Sequence, residues 1–327
     1  MKIPINDLRN DVRDFFKSID MNAHDADVFT ELIVEQELVG NLFDAVGELR
    51  GKHSRITTND TDKDVEIVVD KPAAMLVKGN GRAAPLITAD FLPQIIQKAK
   101  RQGIYAFGIY DSTYNDFFDV FCRRIAEQDC IGLIFENGGP QGVVPFGGRK
   151  DITGTNPIAY GIPTHDDPVI FDAATAEHAY GLIRLAKEKN EKLPENAYVD
   201  VNGDITTDPN QAHAVKPFGG FKGWGINLLI EVLSGALVRG KSGLDQPVDS
   251  QRYIGTFMIL IDPACFGDLS TFKDSTTKLV DDILSSTSID SSRPVRVPGL
   301  RGAKRKKQAM ESGYVEIPDD EWNKFKA

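Results

Sequence analysis

An α/β fold is predicted by three observations. Short apolar runs alternate with helix-period segments through the middle of the chain, glycine and proline punctuate the junctions, and two helical stripes precede the first strand pattern. From Ile5 to about Arg50 the apolar residues recur at helical spacing, with Val12, Phe15 and Phe16 in one run and Phe29, Leu32, Ile33, Leu38 and Leu42 in the next. The capping residues of "SIDMNAHDADVF" separate the two, which predicts an antiparallel helix pair seated on the central sheet.

The polar connector "TTNDTDKD" leads to "VEIVVDKPAAMLVKGNG", read as two strands. "ADFLPQIIQKAKRQG" is a helix closed by Gly103, "IYAFGIYD" a strand, "YNDFFDVFCRRIAEQD" a helix and "IGLIFEN" a strand. Next comes "VPFGGRKDITGTNPIAYGIPT", in which Gly147-Gly148 and Gly154-Thr155-Asn156-Pro157 are turn chemistry and Ile158 to Ile162 a buried strand. "VIFDAATA" is a strand end feeding a helix from Glu177 that Pro194 stops, and "AYVDVNGDITTDP" is a hairpin with an Asn-Gly turn. "GWGINLLIEVLSGALV" reads as an apolar helix, "TFMILIDPACF" as a strand and "DSTTKLVDDILSSTSID" as a helix. The end, "RPVRVPGLRGAKRKKQAMESG", reads as a loop and basic segment, with Lys304 to Lys307 a solvated helix face.

Composition narrows the function classes. The 327 residues, 41% hydrophobic and 26% charged, suit a soluble globular protein of about two domains on the usual size prior. A net charge of −10 argues against nucleic-acid or anionic-membrane partners. Cys122, Cys130 and Cys265 have neither metal spacing nor a paired framework, which fits a reducing cytoplasm. No apolar run approaches a membrane span, and "MKIPINDLRNDV" lacks a signal-peptide core. "GNGRAA" lacks the third glycine and helix start of the common dinucleotide turn, and no phosphate-loop, zinc-protease or nucleophile-elbow motif occurs.

Six collinear segments carry a resemblance: "PFGGRKDITGTNPIAYGIP", "VIFDAATAEHAYG", "LPENAYVDVNGDITTDP", "KPFGGFKGWGINLLIEVLSGAL", "IGTFMILIDPACFG" and "VRVPGLRG". Together they resemble the malate/L-lactate dehydrogenase family of the non-Rossmann type, which includes ureidoglycolate and sulfolactate dehydrogenases and the pyrroline/piperideine-2-carboxylate reductases. The resemblance implies a homodimeric, malate/L-lactate dehydrogenase-like α/β fold with an N-terminal helical region. It also implies NADH or NADPH in an extended cleft, with hydride transfer to or from a 2-oxo, 2-hydroxy or 2-imino acid. The expected division is an N-terminal helical region over 1–70, a cofactor-binding region over 71–294, and a segment over 295–327 packing back on the first.

The cofactor side of that resemblance maps onto Gly154, Thr155, Asn156 and Pro157, and onto Asp172, Ala174 and Thr175. "FGGFKGWG" adds Gly219, Gly220 and Lys222, where glycine permits close backbone approach and lysine a phosphate contact; Arg301 is a further candidate. Closing turns around the core is the plainer role for the same glycines.

The catalytic side departs from the family. Its Gly-His-x-Ser-His-Gly-x-x-Arg motif, whose second histidine is the acid/base and whose arginine holds the substrate carboxylate, falls on "GNLFDAVGEL". Asp44 takes the histidine position and Glu48 the arginine position. "GKHSRI" offers His53 and Arg55, but shifting to it would break the continuous match from Leu49 to Ile56. The later Ser-x-His-x-Gly places Tyr114 and Asp116 at its histidine and glycine, while Ala176, Tyr180, Leu182 and Leu300 replace a serine, an arginine, a lysine and a glutamate.

Losing the imidazole removes a proton donor poised near neutrality, and Glu48 would repel a carboxylate. Asp44 and Glu48, one helical turn apart, could act as a substitute acid, with Tyr114 polarising a carbonyl and Asp116 holding an amine. Two function classes follow. One is a divergent oxidoreductase for a small amine-, imine- or amide-bearing substrate; the other is a non-redox protein on the same scaffold.

Overall fold

The computed structural model describes residues 1–41, 46, 47, 49, 64–113, 115–139, 142–246 and 252–327. The chain opens with β1 (Lys2–Pro4), α1 (Ile5–Ser18) and α2 (Ala23–Val39). Leu8, Val12 and Phe16 form the buried stripe of α1, and Phe16 stacks on Phe29 of α2 at 5.4 Å between ring centres. The Asn22 side chain accepts from the Asp25 N–H at 3.0 Å and caps α2, which ends at Gly40 in the left-handed conformation.

Two strands follow, β2 (Glu66–Lys71) and β3 (Ala74–Lys78), then α3 (Ala84–Gln102), β4 (Ile104–Thr113), α4 (Phe118–Ala126) and β5 (Ile131–Glu136). After β6 (Ile158–Ile162) and β7 (Val169–Ala173) come α5 (Leu182–Lys189), the short strands β8 (Tyr198–Val199), β9 (Ile205–Thr206) and β10 (Ala214–Val215), and α6 (Phe221–Glu231). α6 runs on as a π turn over Val232–Ala236. The chain closes with β11 (Arg252–Ile261), α7 (Leu269–Leu284), α8 (Leu300–Ser312), β12 (Tyr314–Glu316) and α9 (Asp319–Lys326).

The main sheet has the order β2-β3-β4-β11-β5-β6-β7, with β3 parallel to β4 and its other neighbours antiparallel. α3 and α4 cover one face, α3 on β4 and β11 and α4 on β5, β6 and β7. The π turn and α6 lie on the opposite face, where a Cβ on Gly108 would press on Val238. β8, β9 and β10 form a separate small sheet.

Three expectations change. Of the N-terminal pair, α2 packs on α3 and α4 rather than on the sheet and α1 packs on α2, because α3 and α4 already occupy the apolar face. The helix expected from Glu177 to Pro194 is only Leu182–Lys189, since Asn190 adopts φ +53 and ends it early. The C-terminal segment, expected as a loop carrying a basic helix face, is helical throughout its basic part: α8 forms between Gly299 and Gly313, both with positive φ. α8 presents the small residues Gly302, Ala303 and Ala309, too weak a stripe for pattern reading, and docks on α2. Lys306 pairs with Glu35 at 2.7 Å while Lys304 and Lys307 stay exposed.

The chain ends meet. β12 pairs with β1, and the terminal ammonium donates to the Ile317 carbonyl at 2.6 Å. Among the described residues no helix is long and apolar enough to cross a membrane.

Candidate functional site

The Gly-Thr-Asn-Pro turn leaves the sheet just before β6 and packs against the 137–139 turn after β5. A Cβ on Gly154 would stand 2.7 Å from the Gly138 backbone, so only glycine lets the two turns approach. Asn156, at φ +40, accepts from the Gly138 N–H at 3.0 Å and donates to Glu231 Oε2 at 2.7 Å. Asn227 donates to the Gly154 carbonyl at 3.1 Å and to Thr175 Oγ at 2.9 Å, and accepts from Thr153 Oγ at 2.8 Å. Glu231 Oε1 accepts the Gly243 N–H at 2.8 Å, and burial still pushes its carboxyl above the usual range.

This network joins the predicted segments. The Thr175 N–H donates to the Thr155 carbonyl at 2.9 Å, and the Phe218 N–H to the Thr175 carbonyl at 3.0 Å. Residues 154–157, 172–175 and 218–222 therefore form one continuous wall. The Asn156 and Thr175 side chains are buried and spent on holding it together, which leaves backbone and the half-buried Thr155, Pro157 and Ala174 facing outward.

Gly220 starts α6 at φ +64 and, with Gly147, Gly148, Gly219, His178 and Lys216, lines a cavity of about 590 Å³. Lys222 is exposed in the first turn of α6, outside that lining. Arg301, in the first turn of α8, lines a second cavity of about 470 Å³ with Asp172, Asp119, Arg123 and Gly299. The structure thus places Arg301 beside Asp172 and apart from the Gly220 cavity. A larger cavity, about 840 Å³, lies between the chain ends and α8, and none of the predicted site residues lines it.

The acidic end of the site sits at the start of α4. Asn115 Nδ2 donates to Thr256 Oγ at 2.6 Å and pins the β4–α4 turn over β11, which positions Asp116. Gln36 of α2 donates to Asp119 at 2.6 Å, and the Arg123 charge also favours the carboxylate, but burial raises the Asp119 carboxyl above its ordinary range. Asp172 lines the cavity with part of its surface open, while surrounding protein encloses the rest. That enclosure holds its carboxyl well above the usual range, the Asp119 and Asp116 charges add to the rise, and the Asp119 N–H opposes it. Asp44, Glu48 and Tyr114 lie outside the described residues.

Sequence reasoning missed four site residues. Glu136 hides at the end of an apolar run, although strand alternation from Gly132 and Ile134 already turns it inward. Asn227 and Glu231 are a polar pair at i, i+4 in an otherwise apolar helix, and that spacing was the available signal. Asp119 had none, because only the α2 contact buries it. Among the described residues no group of His, Cys, Asp or Glu could hold a metal ion.

Burial raises the Asp119, Asp172 and Glu136 carboxyls above the ordinary carboxylate range, the direction a proton donor requires, and a glycine-lined wall beside exposed lysine can take phosphates. Comparison with known proteins agrees in kind. A family model described as malate/L-lactate dehydrogenase matches residues 3–326. Malate/(S)-sulfolactate dehydrogenase of Methanothermus fervidus is 32% identical over 306 residues, covering 90% of this chain and 88% of that protein. Ureidoglycolate dehydrogenase (NAD(+)) of Escherichia coli K12 is 29% identical, covering 81% and 78%. The solved structure of sulfolactate dehydrogenase from Methanocaldococcus jannaschii superposes with a TM-score of 0.85 at 27% identity, covering 100% of this chain and 96% of that one.

Proposed function

Because the chain belongs to the malate/L-lactate dehydrogenase family, we propose that it is an NAD(P)-dependent oxidoreductase acting on a small amine-, imine- or amide-bearing carbonyl or hydroxy substrate. The observation that carries this reading is the single wall built from residues 154–157, 172–175 and 218–222, the segments where a dinucleotide is expected. The wall leaves room for such a group: a Cβ added to Gly219, at positive φ, would meet nothing within 4 Å, while the Gly219 N–H donates to Glu177 Oε2 at 3.2 Å.

Lys222 holds the phosphates in this reading, with Gly219 and Gly220 giving close backbone approach, and Arg301 and Asp172 bracket the other end. NADH or NADPH supplies the hydride when bound. The protein's own part is to orient the substrate and move a proton. Asp44 and Tyr114 are assigned the proton-donor and carbonyl-polarising roles, and Asp116 and Glu48 the contacts to a nitrogen-bearing substrate. The working molecule in this reading is a homodimer.

Titration of the protein with NADH and with NADPH, followed by fluorescence, tests the reading. Saturable binding of one of them is expected, with slow turnover of pyruvate, oxaloacetate and lactate and faster turnover of cyclic imines. Efficient reduction of pyruvate or oxaloacetate would defeat the substrate assignment. A second reading, a non-redox protein on the same scaffold, is favoured by Asp44 and Glu48 standing at the family's histidine and arginine positions. Absence of cofactor binding at millimolar concentration would select it.

A further inference from the structure

Glu136 ends β5, and strand register sets its side chain on the face that carries Ile134, Ala159 and Asp172. α4 covers that face, since a Cβ on Gly132 would press on Ile125. Glu136 is only 5% exposed, yet its carboxyl has no hydrogen-bond or ion-pair partner among the described residues. The charges that bear on it belong to Asp116 and Asp172, both negative. Buried charges are ordinarily paired or neutralised, so a carboxyl in this position is waiting for a cation or a proton.

We propose that Glu136 is a specificity-determining residue and that, with Asp116 and Asp172, it receives a cationic nitrogen group of the substrate, an ammonium, iminium or amidinium. The inference rests on reading the acidic end of the site, at the start of α4, as the place where substrate binds.

Location supports it first. The Glu136 N–H donates to the Pro157 carbonyl at 3.3 Å, so the residue abuts the Gly-Thr-Asn-Pro turn. Thr256 pairs with Glu136 across the β5–β11 ladder and holds Asn115, which brings the Asp116 turn over the same spot. Charge supports it next. α4 contributes Asp119, Cys122 and Arg123; α2 contributes Glu35 and Gln36; β7 contributes Asp172; α8 contributes Arg301, which lines the Asp172 cavity. Arg123 is shared between Asp119 and Glu35, the latter at 3.9 Å, and Cys122 is a buried thiol that burial keeps protonated. Among the described residues no group of His, Cys, Asp or Glu is set to hold a metal ion.

Such a ligand replaces protons. Burial, reinforced by Asp116 and Asp172, holds the Glu136 carboxyl well above its ordinary range, so a bound cation expels a proton from the cluster. Affinity then strengthens as pH rises toward that raised range, about tenfold per unit for one proton displaced.

The test uses benzamidinium and benzoate, planar molecules of nearly the same shape and opposite charge, in calorimetric titrations of the full chain at several pH values. Benzamidinium should bind saturably with proton release, and benzoate should not. Glu136→Gln should weaken benzamidinium at least tenfold without lowering the melting temperature, and Asp116→Asn should weaken it several-fold, which serves if the first variant does not fold. Equal binding of benzoate, no binding of benzamidinium, saturation by Mg²⁺ or Mn²⁺ instead, or wild-type affinity in the variants would each overturn the proposal. A parallel NADH titration separates the two readings. Cofactor binding without benzamidinium binding defeats only the cation site, and the converse defeats only the redox assignment.

Discussion

Glu37 illustrates how far one residue's chemistry depends on what surrounds it. Its side chain is 2% exposed, and Oε1 accepts the Val46 N–H at 2.8 Å. Burial pushes the carboxyl up to about 7; the Val46 N–H and Arg305 oppose the shift and Glu321 adds to it. A raised carboxyl contributes stability that is fully present below the unfolded value near 4.5 and lost as pH climbs through 7. Glu37→Gln keeps the acceptor and removes the charge. We expect it to be more stable than wild type by on the order of 3 kcal/mol at pH 8, with the gap closing toward pH ~4.5. Urea unfolding at both values checks this, and a pH-independent gap would contradict it. Lys222 belongs to the same scale. As an exposed lysine beside the glycine turn, its loss in Lys222→Ala should weaken NADH or NADPH binding by about 1–3 kcal/mol, the worth of a charge-assisted contact. Unchanged affinity would remove it from the phosphate site.

Between elements, close backbone approach decides more than side-chain pattern. β6 runs directly under α4, and a Cβ on Gly161 would overlap the Cys122 carbonyl of that helix. Gly161→Ala must lift α4 or bend β6, so a loss of roughly 1–3 kcal/mol is expected. A lowered urea midpoint with unchanged slope is the expected readout, and an unmoved midpoint would mean that α4 rides higher over the strand. The same contact explains a limit of sequence reading. "IAYGIP" is legible as a strand, but nothing in it announces that its glycine carries a helix. The hairpin at Asn202-Gly203 was legible, although its loop runs from Asp200 to Asp204, because Gly203 at φ +80 and the Asp200 carboxylate accepting the Asn202 and Asp204 N–H groups are local chemistry. α8 was not, since its docking stripe is glycine and alanine.

For the whole molecule the exposed side of α6 is the main clue. Phe221, Leu228, Leu229 and Val232 recur along one face and are 69%, 48%, 53% and 49% exposed, opposite the buried Gly223, Asn227 and Ile230. An exposed helix face this apolar is ordinarily covered. The homodimer proposed above would cover it, and sedimentation should show a dimer at micromolar concentration that Leu229→Asp converts to monomer. A monomeric wild type would leave the face without that partner. The sequence by itself determined the alternation of strands and helices, the turn chemistry and the order of the motif segments. Each depends on a few neighbouring residues whose backbone preference and periodicity can be read directly. Only the tertiary structure decided that Asn156 and Thr175 spend their side chains on Asn227 and Glu231. Only it set Arg301 on the same cavity as Asp172, and only it brought the Asp116 and Asp172 charges to bear on Glu136. Burial and charge proximity are sums over residues distant in the chain, and no local pattern carries them.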